Sequence, residues 1–81
     1  MTPRTLADLK TGESAFVAGF LGSPTASHRL QEMGLTDGER VSLVGVAPLG
    51  DPLDILIRGY HLSVRKSDAR LVALSEANAG G

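Results

Sequence analysis

Apolar and polar residues alternate with a period of two along most of this 81-residue chain, and one stretch with helical spacing interrupts the alternation. The run Ser14-Ala15-Phe16-Val17-Ala18-Gly19-Phe20 predicts a first strand, with Phe16, Ala18 and Phe20 on one face and Ala15, Val17 and Gly19 on the other. The two phenylalanines are the bulkier pair, so that face is expected to point into the core. Arg40-Val41-Ser42-Leu43 alternates next, and Val44-Gly45-Val46 alternates in the opposite phase, which predicts a bulge near Leu43-Val44 and a strongly bent strand. Asp54 to Arg58 and His61 to Arg65 read as two strands around Gly59-Tyr60, a two-residue II′ turn, with Ile55, Ile57, Leu62 and Val64 inward. Arg70 to Leu74 supplies a closing strand.

The helical stretch begins at Ser23-Pro24, an N-cap residue followed by one whose fixed φ suits the first helical position. Ala26, Leu30 and Met33 form a narrow apolar stripe, Gly34 stands where a helix stop needs positive φ, and Leu35 covers the last turn. The helix is expected over 24–33, with Asp37-Gly38 turning the chain into the second strand. Thr5 with Asp8 three residues on predicts a short turn that ends near Thr11-Gly12, and Ser67-Asp68-Ala69 resembles one capped turn. Pro48 and Pro52, with Gly50 and Asp51 between them, stop any strand and make 47–52 a loop.

These elements describe a mainly β fold: a small, partly open five-stranded barrel of the SH3-like type, with a short helix inserted after the first strand. The expected domain is 1–75, followed by a flexible tail over 76–81, Ala-Asn-Ala-Gly-Gly at its end. An oligonucleotide-binding barrel has a similar strand count but needs aromatic platforms, and this chain has Phe16, Phe20 and Tyr60 alone. The net charge of −1 lacks the basic excess of a nucleic-acid surface, so no nucleic acid is expected as partner. The absence of cysteine excludes disulfides, thiolate metal sites and cysteine nucleophiles. No apolar run approaches the roughly 20 residues that span a bilayer, so the expectation is a cytoplasmic protein without direct membrane insertion.

Neither a phosphate loop nor a nucleophile with a local base stands out, and a core this small leaves little room for a pocket, so no catalysis is expected. His28 and Glu32, four apart on the helix, offer one nitrogen and one oxygen to a divalent ion such as iron or zinc. Two ligands make a weak chelate, and the plainer reading is a solvated pair. His61, beside a turn, is the candidate to complete the shell. No cofactor is required.

The ordered blocks Arg29-Leu30, Met33-Gly34-Leu35, Gly38, Ala47 to Pro52, Arg58-Gly59, Leu62, Val64-Arg65-Lys66 and Asp68-Ala69 resemble the ferrous iron transport protein A (FeoA) family. The match reaches back to Leu6-Leu9 and Gly12. The resemblance implies an SH3-like barrel in the cytoplasm and an accessory role with the FeoB family, the membrane ferrous iron transporter that carries a GTPase domain. The same barrel resembles the C-terminal domain of iron-dependent repressors, here without a DNA-binding helix-turn-helix.

By position, Arg29, Leu49, Asp51 and Arg58 are the candidate partner-binding residues. Leu49 is read equally as loop closure and as an apolar contact for a partner. Arg29 and Arg58 are expected to be solvated or paired with Asp51 or Glu32, and Asp51 to bond nearby backbone as a turn residue. The alternative function is a metal-responsive sensor that changes its oligomeric state through His28 and Glu32, and a homodimer is compatible with either reading.

Overall fold

The computed structural model describes residues 4–76. In chain order its elements are a 3₁₀ turn at Leu6–Asp8, β1 at Ser14–Phe20, α1 at Pro24–Glu32, β2 at Arg40–Val46, β3 at Leu53–Ile57, β4 at Tyr60–Val64, α2 at Lys66–Ala69 and β5 at Val72–Glu76. All five strands lie in one antiparallel sheet in the order β4-β3-β2-β1-β5. Register shifts between Val17 and Gly19 in β1, and between Leu43 and Gly45 in β2, mark two bulges. Extra residues at Ala18 and Val44 sharpen the twist, and the bent sheet curls into a partly open barrel. Of the expected tail over 76–81, Glu76 is the last residue of β5 and 77–81 lie outside the described residues.

Leu6, Val17, Val41, Ile55, Val64 and Val72 fill the barrel, and Leu30 and Leu35 seal one side of it. Burying each such side chain contributes about 1.5–3 kcal/mol. The first strand departs from the expected facing: Ala15 and Val17 are buried, while Phe16 is 36% exposed. Both faces of that strand are apolar, so alternation alone does not choose between them. The bulge then resets the alternation, and Phe20 packs against the core although it is in phase with Phe16 in the sequence.

The β3–β4 turn also moves. Ile57 pairs with Tyr60, so the two turn residues are Arg58 (φ 53°) and Gly59 (φ 84°). Positive φ at both central positions makes this a type I′ turn, not the II′ turn expected at Gly59-Tyr60. The pairing changes by one full side-chain period, so Ile55, Ile57, Leu62 and Val64 still face or pack on the core. β5 begins two residues later than expected because α2 runs to Ala69 and Leu71 N donates to Asp68 O at 2.9 Å.

The helix stop is built as its sequence indicates. Ser23 Oγ accepts from Ala26 N at 3.2 Å, and Met33 is the C-cap residue. Gly34 (φ 109°) donates to Gln31 O at 3.0 Å, and Leu35 N donates to Leu30 O at 3.1 Å. This bond pair is a Schellman motif, with Leu30 and Leu35 both fully buried as its apolar contact.

The N-terminal segment covers the outer side of β5. Thr5 bridges Ala73, and Leu74 N donates to Arg4 O at 2.8 Å. Asp8 holds this segment in place by accepting from Thr5 N at 2.8 Å. Glu13 accepts from Lys10 N at 2.7 Å and pairs with Arg4, and these contacts, the backbone donor foremost, hold its carboxyl below the usual range.

Candidate functional site

The β2–β3 loop and the outer surface of β3 and β4 form a concave surface. Val46, Ala47, Pro52, Leu53, Asp54 and Ser63 are among the residues lining an open groove of about 490 Å³. Past Pro52 it continues into a second hollow of about 490 Å³ between Leu49, Asp51, Ser63 and Arg65. Asp54 and Ser63 face each other across β3 and β4, which brings the loop and the edge of the sheet onto one surface.

The loop is pinned. Ala47 N donates to Pro52 O at 3.1 Å and Gly50 N to Ala47 O at 2.7 Å, so 47–52 folds back on itself. Asp51 does not bond within its own turn as expected. Its Oδ1 accepts from Lys66 N at 2.9 Å, where α2 starts without a side-chain cap of its own. The carboxylate supplies the missing acceptor from across the fold and ties the loop to α2. On this anchored loop Leu49 is 96% exposed, and Val46 and Val44 are exposed nearby in the sequence.

The other candidates lie elsewhere and find different partners from those expected. Arg29 pairs with Asp68 at 2.7 Å, joining α1 to α2, and Arg58 pairs with Glu39 at 2.9 Å. Glu32 and Asp51 take neither role because topology sets Asp68 beside α1 and Glu39 beside the β3–β4 turn. Of the predicted binding residues, Leu49 and Asp51 share a surface, whereas Arg29 belongs to the helix side.

His28 Nδ1 lies 3.7 Å from Glu32 Oε2 on the solvent face of α1, the geometry that their spacing predicts. No third His, Cys, Asp or Glu joins them or any other pair among the described residues. His61 does not complete the shell: its Nδ1 lies 3.0 Å from Asp54 Oδ1, on the groove. Two exposed donors do not hold a metal by themselves. Ser63 stands beside the His61–Asp54 pair, but no hydrogen bond joins its hydroxyl to the imidazole among the described residues.

Val46, Pro52, Asp54, Ser63 and Arg65 line this surface, and the sequence reading did not single them out as candidate binding residues. The loop signal was present in its prolines and glycine. The position of β4 at the end of the sheet had no local signal.

A sequence model of the FeoA domain matches residues 4–76. The chain belongs to the FeoA domain family. The Fe(2+) transport protein A/Fe(2+) transporter FeoB fusion protein of Porphyromonas gingivalis is 36% identical over 64 residues, which cover 79% of this chain and 8% of that relative. This FeoA chain therefore corresponds to a small part of a much longer protein there, one in which FeoA and FeoB parts share a polypeptide.

The FeoA-like protein of Clostridium acetobutylicum is 29% identical, with a TM-score of 0.84 over 95% of this chain and 91% of its own. FeoA of Stenotrophomonas maltophilia, solved in complex with zinc and described as a prokaryotic SH3 domain protein, is 30% identical, with a TM-score of 0.75 over 89% of each chain. The fold is thus the SH3-like barrel of FeoA, and the family is one of ferrous iron transport. No helix among the described residues is long and apolar enough to cross a membrane.

Proposed function

We propose that this FeoA chain is a non-enzymatic accessory protein that docks in the cytoplasm on an FeoB-type ferrous iron transporter and modulates uptake, with the loop around Leu49 as its contact. Iron is the transporter's cargo in this reading. The observation that carries it is a leucine 96% exposed on a loop held at both of its sides. A loop backbone already held in place has less entropy to lose on binding, so burial of the leucine translates more efficiently into affinity. The P. gingivalis fusion supports the choice of partner, because one chain carrying both parts keeps them at high effective concentration.

The test is binding to the transporter together with ferrous iron uptake in cells. Leu49→Ala should weaken binding by about 1–2 kcal/mol, roughly 5–30-fold, without lowering the melting temperature. Deleting the gene should lower uptake, and unchanged uptake through a working transporter would overturn the proposal.

A second reading, a metal-responsive sensor, is favoured by the zinc complex of the S. maltophilia protein together with the His28–Glu32 pair. Since the pair supplies two ligands, a second copy would have to supply the others, and metal would then drive dimerisation. Sedimentation with and without Zn²⁺ decides this. A shift that disappears in His28→Ala supports the sensor, and no shift at micromolar metal removes it.

A further inference from the structure

The two edges of the sheet are finished differently. At β5 the chain covers its own edge, because Thr5 bridges Ala73 and Leu74 N donates to Arg4 O at 2.8 Å. At the other end β4 pairs with β3 alone, in unbroken register from Leu53–Val64 to Ile57–Tyr60. The closing pair of a two-residue I′ hairpin is hydrogen-bonded, and bonded and non-bonded pairs then alternate. Tyr60, Leu62 and Val64 therefore turn their N–H and C=O groups toward β3, whereas His61 and Ser63 turn theirs outward. Among the described residues, no backbone hydrogen bond beyond the ladder engages His61 or Ser63. Exposed edges are ordinarily blocked by lysine, proline or a bulge, and Tyr60-His61-Leu62-Ser63-Val64 contains none of these.

The charges around this edge say what fits it. Arg58, paired with Glu39, stands at one end and Arg65 and Lys66 at the other, and between them His61 is paired with Asp54 on the groove face. A second copy paired antiparallel about Leu62 would bring no carboxylate of its own strand to Arg65, because the Arg58 it sets there is already paired with Glu39. A different protein can bring an acidic residue to Arg65, which has no ion pair among the described residues. Its alternate side chains would also lie on the face of His61 and Ser63, above the groove formed with Val46, Pro52 and Leu53.

We propose that β4 is a docking strand that accepts an extended segment of the transporter's cytoplasmic part by strand addition. The backbone of that segment bonds to His61 and Ser63, an apolar side chain fills the groove, and an acidic residue meets Arg65. This rests on the docking reading above and adds the mode of contact.

The decisive variant is Ser63→Pro, because proline on an edge strand removes an outward N–H while leaving the ladder to β3 intact. Binding of the full chain to the whole transporter in lipid nanodiscs should weaken at least about tenfold in Ser63→Pro. In the unaltered protein, amide hydrogen exchange at His61 and Ser63 should slow about tenfold or more on adding the transporter. If Ser63→Pro does not fold, the exchange measurement decides alone. Unweakened binding by a folded Ser63→Pro, or unchanged exchange at both amides in the complex, overturns strand addition and leaves the docking reading standing. Failure of the unaltered protein to bind overturns both. Protection of the two amides in a dimer without transporter makes the occupant a second copy, which also overturns the proposal.

Discussion

Leu35 and Leu49 each adjoin a glycine held at positive φ, yet Leu35 is fully buried and Leu49 is 96% exposed. At the end of α1, Gly34 turns the chain so that Leu35 lies over Leu30 and closes the barrel. In the β2–β3 loop, the Gly50 turn and the bond from Lys66 N to Asp51 hold Leu49 away from any core. The same local pairing of leucine with glycine serves packing in one place and presentation in the other. The difference lies in what the rest of the chain places beside each turn.

The comparison is most strongly tested by removing each leucine. Leu35→Ala should destabilise the fold by about 2–5 kcal/mol in chemical denaturation. That is a large part of the roughly 4–12 kcal/mol that about 0.05–0.15 kcal/mol per residue allows a chain of this length. Leu49→Ala should change stability by less than about 0.5 kcal/mol. Similar losses from both would mean that Leu49 packs in solution, and the contrast would fail.

The glycines should differ in the same sense. A Cβ on Gly34 would stand 2.5 Å from the Tyr60 hydroxyl, in addition to a backbone at φ 109°. Gly34→Ala is expected to cost about 2–3 kcal/mol, with part recovered when Tyr60→Phe removes that oxygen. A Cβ on Gly50 meets open space, so Gly50→Ala should cost about 1–2 kcal/mol from its φ of 88° alone, with no relief from Tyr60→Phe. Equal recovery in both would show that contact with Tyr60 does not distinguish the two turns.

The smallest expected effect concerns the anchor of the exposed loop. Asp51→Ala removes an acceptor from the start of α2 and should cost about 1 kcal/mol in thermal or chemical melts, and Asp51→Asn should restore most of it. The readout particular to this role is amide exchange at Lys66, which should speed up in Asp51→Ala and remain slow in Asp51→Asn. If neither variant alters it, the loop is held by its own turn and the presentation of Leu49 needs another cause.

Much of this was legible in the residues because the relevant physics is local. Ser23-Pro24 and Met33-Gly34-Leu35 marked both ends of α1, and the phase change at Val44 announced a bulge that the register of β2 confirms. The two prolines around Gly50 and Asp51 delimited the loop, and the spacing of His28 and Glu32 set them near each other. What escaped was non-local. Phe16 was expected inside on its bulk, but both faces of β1 are apolar, and the Ala18 bulge that separates it from Phe20 follows from pairing with β5. The I′ turn moved by one residue because two dipeptides around Gly59 could close the same hairpin. The partners of Arg29, Arg58 and Asp51 are Asp68, Glu39 and the Lys66 backbone, and their separation along the chain hides all three pairings.

Patterning and turn chemistry alone determined that this protein is a small bent-sheet barrel with one capped helix, and the ordered blocks pointed to FeoA. Hydrophobic periodicity and the φ preferences of glycine and proline act over a few residues, so they can be read in sequence. The tertiary structure decided which edge of the sheet is covered, which leucine is exposed and which carboxylate meets which cation. Those outcomes depend on chain segments meeting across the barrel, where burial and pairing are properties of the folded surface.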